Sequence, residues 1–311
     1  WQTQFKHDSY NDLGGKIHMF LHVGSQWKNA TSYFGCFRFG DGYDVRDVIG
    51  HEFTHSVDDF AGKLKYVNQS GALDESFADI FGYFADPDDW TLGEDLPGGA
   101  IRSLSNPPAF GQPDKLSDYV ITAFDNGGVH TNSGIHNKAA YLIIAGGKHN
   151  GRQIVGIGDA KASKLFYSLL ADGVGPTTKL AQAAKQAYAI ATVWQLFGVN
   201  SFTKQDACAV RNAYAAVELM VGDADCDGKL DSQDADSDGD GTNNNLDNCP
   251  TIANPGQWDI DNDGKGNACD EDVDNDTILN ATDNCKYTPN KIQADWNNDG
   301  SGDVCDDSDD D

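Results

Sequence analysis

Between Asp223 and Asp311 the chain carries 26 acidic and 4 basic residues, a net charge of −22. Carboxylates at that density repel one another unless cations sit between them, and the stretch has few apolar residues from which to build a core. It can therefore fold only around ions; without them it reads as a disordered acidic linker. The residues before it hold 23 acidic and 18 basic groups, a net of −5. The break near Gly222 divides the 311 residues into 1–222 and 223–311. The acidic excess argues against nucleic acid as a partner, because phosphate binding needs Lys and Arg. It favours divalent cations.

The acidic part repeats with a period of 36. Asp247-Asn248-Cys249 recurs as Asp283-Asn284-Cys285. Asn254, Gln257, Asp259, Asp263, Gly264, Gly266, Cys269 and Asp270 recur as Asn290, Gln293, Asp295, Asp299, Gly300, Gly302, Cys305 and Asp306. Such a period means one structural unit stacked several times. Five loops share an oxygen rhythm at positions 1, 3, 5 and 12. The first has Asp223, Asp225, Asp227 and Asp234, and the second Asp236, Asp238, Asp240 and Asp247. The third has Asp259, Asp261, Asp263 and Asp270, and the fourth Asp272, Asp274, Asp276 and Asp283. The fifth has Asp295, Asn297, Asp299 and Asp306. Position 6 is Gly in four of the loops and Thr277 in the other. This is the oxygen spacing of a calcium loop, without the flanking helices of an EF-hand. The pattern D-N-C-P-x-x-x-N-x-x-Q-x-D-x-D-x-D-G-x-G-x-x-C-D resembles thrombospondin type 3 repeats, which implies several bound Ca²⁺ ions.

Six of the seven cysteines lie in or beside the acidic part and fit a disulfide framework, hence an oxidising, extracellular compartment and a secreted protein. Cys249 to Cys269 and Cys285 to Cys305 have equal spacings of 20, so bridges within each repeat are the first expectation. Cys269 to Cys285 is the competing pairing. Cys226 stands outside the register and is a candidate partner for Cys208. Cys36 is left as a buried thiol in a strand. No apolar run approaches the ~18 residues of a membrane span. With no initiator Met and no signal peptide, the chain reads as starting inside a longer or processed protein. A monomer is expected.

The chemistry is carried by His51-Glu52-Phe53-Thr54-His55. On a helix, residues i and i+4 lie on one face, so the two imidazoles can grip one metal ion with Glu52 beside them. A catalytic zinc site has three protein ligands and an open position. The third is offered by Glu75, in Gly71-Ala-Leu-Asp-Glu75-Ser-Phe-Ala-Asp79. Asp79 shares its face and can accept the free N–H of a ligand histidine. H-E-x-x-H alone is also compatible with a solvated helix face; the E-x-x-x-D on a second apolar-periodic helix is what makes it a metal site.

Together with Asp125-Asn-Gly-Gly-Val-His130-Thr-Asn-Ser-Gly, these motifs make residues from about Asn11 to Leu219 resemble the thermolysin family of zinc metalloendopeptidases. The resemblance implies an α+β fold, mostly the α-helical catalytic lobe with a short β portion, followed here by the calcium-organised irregular module. The family's larger β-rich N-terminal lobe is largely missing from these residues. By the same resemblance, Glu52 is the general base, and His130 and Tyr66 stabilise the transition state with Asp125 orienting His130. Asn29, the backbone of Ala30, and Arg102 would hold the peptide, and Val48, Leu92 and Ile101 would line an apolar pocket just after the scissile bond. Thr31-Ser32 departs from the family's aromatics. Asp47, Asp86, Asp89 and Glu94 fall on the family's calcium ligands. Thr91, where two-calcium members carry a carboxylate, points to one ion rather than two.

Periodicity adds the frame. Residues 1–16 read as loop, 17–23 and 33–39 as strands, and 26–30 as a turn. Helices are expected over 45–61, 72–84, 131–145, 160–170, 178–196 and 203–219, the last capped by Thr203 with Asp206 three residues on. His18 and His22 read as surface histidines, and residues 106–119 as a Pro-rich loop. The resulting expectation is a zinc endopeptidase acting on proteins or peptides. An aminopeptidase would want a G-x-M-E-N motif that is absent, and a purely adhesive calcium module leaves Glu52, Tyr66 and His130 unexplained.

Overall fold

The computed structural model describes residues 1–307. Two compact units emerge, Trp1–Asn150 with Ile154–Gly222, and Gly151–Gln153 with Asp223–Asp311.

In the first unit, helix α1 (Gln2–Phe5) precedes strands β1 (His18–Phe20), β2 (Ala30–Tyr33) and β3 (Cys36–Phe39). Then come α2 (Arg46–Asp58), α3 (Asn68–Ala85), the short pair β4 (Thr91–Leu92) and β5 (Arg102–Ser103), and α4 (Asp125–Ala145). The paired strands β6 (Gly146–His149) and β7 (Arg152–Val155, whose first two residues are counted with the second unit) follow, then α5 (Asp159–Ser168), α6 (Leu180–Phe197) and α7 (Lys204–Ala216). The first sheet has the order β1-β3-β2, with β1 parallel and β2 antiparallel to β3. That makes β2 an edge strand. Among the described residues, no helix is long and apolar enough to cross a membrane.

Helix α3 is the axis of this unit. Every residue from Ser70 to Tyr83 is buried, as happens when a helix is enclosed on all sides. Leu73, Phe77, Ile80 and Phe81 fill the core with Ile135, Leu142 and Ile143 of α4 and Leu165 and Phe166 of α5. Helix α2 packs on one side of α3 and α4 on the other, so polar groups on two faces of α3 meet both neighbours without water. Helix α7 begins with a reciprocal cap: Asp206 N–H donates to Thr203 Oγ1 at 3.2 Å, and Thr203 N–H to Asp206 Oδ2 at 2.7 Å.

Three expectations are corrected. Residues 1–16 are not plain loop: Trp1 packs on Phe81 with ring centroids 4.4 Å apart, and Phe5 stacks on Tyr167 at 4.6 Å. Apolar burial decides there against the polar, Gly-rich composition. Residues 33–39 are not one strand, and 26–30 is not all turn. Ala30 already pairs with Phe39, and the chain reverses at Phe34-Gly35, both at positive φ. The β6–β7 hairpin was not anticipated, because its strands carry no alternating pattern.

The second unit has almost no regular structure. Only Asp231–Gln233 forms a helical turn among the described residues. Its frame is side-chain hydrogen bonding repeated at the sequence period. Gln257 Oε1 accepts from Asn248 N–H at 2.9 Å and Gln293 Oε1 from Asn284 N–H at 2.8 Å. Asn254 donates to Asn248 Oδ1 and Asn290 to Asn284 Oδ1. A Cβ on Gly266 or Gly302 would stand 2.3 or 2.5 Å from those same oxygens, which is why both positions are glycine. Disulfides join Cys249 to Cys269 and Cys285 to Cys305, the within-repeat pairing. Cys36 is a free, half-buried thiol in β3.

Candidate active site

Helix α2 lays His51 and His55 on one face, and α3 brings Glu75 against them. His51 Nε2 and His55 Nε2 are 3.0 Å apart, and Glu75 carboxylate oxygens lie 3.6 and 3.5 Å from them. A carboxylate lies beside the far nitrogen of each ring, hydrogen-bonded to His55 and at ion-pair distance, without hydrogen-bond geometry, from His51. His51 Nδ1 is 2.9 Å from Asp79 Oδ1, and His55 Nδ1 donates to Asp74 Oδ1 at 2.8 Å. Both Nε2 atoms face each other and the Glu75 carboxylate, whose Oε2 is buried without a hydrogen bond. A metal ion bound between them satisfies all three groups at once. Together they make the donor set of a mononuclear zinc site with three protein ligands, and the ligand atoms converge within 4.8 Å. Asp74 is the functional neighbour that sequence reasoning missed; the only signal was its place directly before Glu75.

Charge around the centre is set by burial and by cations. Burial opposes ionisation of Glu75, but His55, His51, His130 and Arg102 outweigh it and hold its carboxyl below the usual range. Asp79 is fully buried. The Arg102 guanidinium, donating from Nε at 2.9 Å and Nη2 at 2.7 Å, keeps it ionised against that burial. Tyr66 is pushed upward by burial and by Glu75, so its hydroxyl stays a donor. It donates to Glu75 Oε1 and lies 3.2 Å from His130 Nε2.

His130 is positioned by an unusual start to α4. Asp125, Asn126, Gly127 and Gly128 all take positive φ, so the chain coils tightly before the helix proper. Asp125 Oδ1 then accepts from His130 Nδ1 at 2.7 Å and Oδ2 from its backbone N–H at 2.9 Å. Gly127 cannot be replaced cheaply, since a Cβ there would stand 2.2 Å from Asn68 Oδ1.

These groups open on one cleft of about 410 Å³. Asn29 and Ala30, on and before edge strand β2, form one wall. Val48, Leu92 and Ile101 form an apolar stretch next to Arg102, and Glu52, Tyr66 and His130 face the same space. Every sequence-predicted zinc, catalytic and substrate residue except Asp79 and Asp125 borders it, and those two hold His51 and His130 from behind. Glu52 is buried, at 6% exposure.

The other predicted metal residues divide. Oxygens of Asp86, Glu94 and Asp95 converge. Asp95 was not predicted. Asp47 and Asp89 stand outside that trio: Asp47 accepts from Gly93 N–H, and Asp89 from Thr91 N–H at 2.6 Å. Their charges still act locally. Burial first, then Asp86, raises Asp47; burial, then Asp47, Asp89 and Asp95, raises Glu94.

In the second unit, positions 1, 3 and 5 converge in Asp223, Asp225 and Asp227, in Asp236, Asp238 and Asp240, and in Asp259, Asp261 and Asp263. Among its described residues, nine carboxylate oxygens are buried without a hydrogen bond, from Asp236, Asp238, Asp247, Asp261, Asp270, Asp272, Asp274, Asp283 and Asp295. All fall at loop positions 1, 3 or 12. A buried unsatisfied carboxylate is costly, and a hard cation with oxygen ligands removes that cost. Position 6 has positive φ in all five loops, including Thr277 at 80°. A β-branched residue there costs about 1–2 kcal/mol, so Thr277→Gly should raise the melting temperature of the calcium-loaded protein in calorimetry.

Residues 62–219 match the thermolysin metallopeptidase alpha-helical domain, and residues 1–59 the thermolysin metallopeptidase catalytic domain. Residues 222–257 and 258–293 match the thrombospondin type 3 repeat. The chain is 41% identical over 223 residues to a bacillolysin of Brevibacillus brevis, covering 68% of this chain and 41% of that protein. It is 40% identical over 233 residues to neutral protease B of Bacillus subtilis (strain 168), covering 71% and 42%. Among solved structures, the precursor of protealysin, a metalloproteinase from Serratia proteamaculans, aligns with a TM-score of 0.57 at 29% identity. That alignment covers 70% of this chain and 73% of the other. The chain belongs to the thermolysin metallopeptidase family and carries thrombospondin type 3 repeats. It spans about two-fifths of the length of the curated relatives it matches.

Proposed function

We propose that the protein is a secreted zinc endopeptidase that cuts before a bulky apolar residue, with calcium sites in both units, a catalytic domain over 1–222 and a calcium-binding module over 223–311. The observation that carries the proposal is the pair of facing Nε2 atoms 3.0 Å apart beside the Glu75 carboxylate. Zinc, held by His51, His55 and Glu75, would supply a Lewis acid that polarises the scissile carbonyl and makes water acidic. Glu52, not a ligand and facing the same cleft, takes the proton of the attacking water and returns it to the leaving amine. Tyr66 and His130 donate to the developing oxyanion, and Asp125 keeps His130 turned toward it. Edge strand β2 offers backbone groups to an extended peptide, with Asn29 at its start. The apolar wall of Val48, Leu92 and Ile101 receives the side chain after the cut, and Arg102 holds a peptide carbonyl while staying anchored to Asp79.

Calcium is assigned to Asp86, Glu94 and Asp95 with help from Asp47 and Asp89, and to the tail loops. The disulfides support an oxidising, extracellular setting. Hydrolysis of internally quenched peptides with blocked ends, dependent on zinc and favouring an apolar residue after the cut, tests the whole proposal. Resistance of blocked peptides would leave an exopeptidase. His130→Ala should lower kcat by roughly 10²–10³-fold with metal content unchanged; loss of zinc in that variant would mean the ligand set is wrong.

A further inference from the structure

A second polar system runs through the core of the first unit, on the face of α3 turned toward α4. Tyr214, His136, Ser76 and Asn137 are fully buried, and each touches the next. The proton positions along them follow from one end. Arg102 donates to both oxygens of Asp79, from Nε to Oδ2 at 2.9 Å and from Nη2 to Oδ1 at 2.7 Å, which makes Asp79 the accepting end. Asn137 must then turn its Nδ2 to Asp79 Oδ2, at 2.8 Å. Its Oδ1 is left as an acceptor and takes the single hydroxyl proton of Ser76 at 2.7 Å. Ser76 Oγ, having spent that proton, accepts from His136 Nδ1 at 2.8 Å. His136 is neutral, since burial pushes it down to about 3, so its Nε2 is an acceptor and Tyr214 O–H donates to it at 3.0 Å. Every donor in the series points toward Asp79. The other oxygen of Asp79 faces His51 Nδ1 at 2.9 Å.

We propose that Tyr214, His136, Ser76 and Asn137 form a one-way hydrogen-bond chain that positions the metal ligand His51 through Asp79. The inference rests on His51 being a zinc ligand, as proposed above. Physically, the chain does two things. It gives Asp79 Oδ2 a second donor, Asn137 Nδ2, beside Arg102 Nε, which restrains the carboxylate. It also admits one tautomer of His136, so no alternative proton arrangement competes. A carboxylate held this way fixes the ring of His51 and keeps its Nε2 free for metal, as outer partners of metal-bound histidines do elsewhere. None of the four residues borders the cleft; they are positioning residues and touch no substrate.

The test uses the full chain with Co²⁺ in place of zinc, read by the visible absorption of the metal and by competition with a chelator. Ser76→Ala breaks the chain at its middle and should weaken metal binding by about tenfold and shift the cobalt bands. Ser76→Thr, which restores the hydroxyl, should return both to wild type. Tyr214→Phe removes one oxygen at the far end and should act in the same direction with a smaller effect, so the test survives if Ser76→Ala fails to fold. A purely structural role predicts lower melting temperatures with an unchanged cobalt spectrum and affinity. That result in folded Ser76→Ala, or in Tyr214→Phe if only the latter folds, would overturn the proposal. Failure of the wild-type chain to take up cobalt would overturn the zinc assignment itself, and the positioning role with it.

Discussion

Zinc-loaded Glu52→Gln protein is expected to keep its metal and lose peptide hydrolysis by at least ~10²–10⁴-fold, the span typical of a positioned general base. The separation of the two properties follows from geometry. Three other side chains supply the converging ligand atoms, and each ligand histidine is oriented from behind by a different carboxylate, Asp79 or Asp74. Glu52 takes part in neither arrangement. It sits on α2 between the ligands, one residue after His51, buried and facing the cleft. Gln keeps its size and removes only its ability to take a proton. Metal analysis and turnover of blocked peptides, measured on the same preparation, check both halves. Wild-type-like cleavage by the metal-loaded variant would falsify the assignment of Glu52 as base.

The second large effect is expected from calcium. Removing it with a chelator should expand residues 223–311, so the radius of gyration of the full chain, by small-angle scattering, should rise and then fall again as calcium is restored. The net charge of −22 acts over a unit with scarcely any buried apolar side chains. Cys249, Ile252, Val273 and Cys285 are the buried hydrophobics the tail contributes among the described residues. The two within-repeat disulfides shorten the unfolded chain but do not neutralise it. Among the described residues, nine buried carboxylate oxygens without hydrogen bonds mark where the repulsion concentrates and where cations would relieve it. Because calcium binds the ordered form, compaction should track its concentration by mass action. Scattering profiles that coincide with and without calcium would rule the idea out.

How much of this could be read from residues alone depends on whether the signal is local. His51, Glu52 and His55 are one helical turn, so their common face follows from the 3.6-residue period. The calcium loops are as local: twelve residues, a fixed oxygen rhythm and a residue of positive φ at the sixth position, which the structure reproduces even at Thr277. The equal spacings of Cys249–Cys269 and Cys285–Cys305 named the pairing that forms. The Thr203–Asp206 cap is a three-residue relation and appears as expected.

What the sequence determined, then, were relations spanning a turn, a loop or a repeat, because backbone geometry alone enforces them. Tertiary structure decided the rest. That Trp1 and Phe5 pack against the core is settled by Phe81 and Tyr167, far along the chain. That Asp95 joins Asp86 and Glu94 while Asp47 and Asp89 bond to backbone depends on how the loop after α3 folds back. That His136 meets Ser76 and Tyr214 requires α3, α4 and α7 to be packed first. Each of these contacts joins residues 58 or more positions apart or turns on loop conformation. No local period encodes them, because the water-free interior that makes a misplaced polar group costly exists only once the helices have closed on α3.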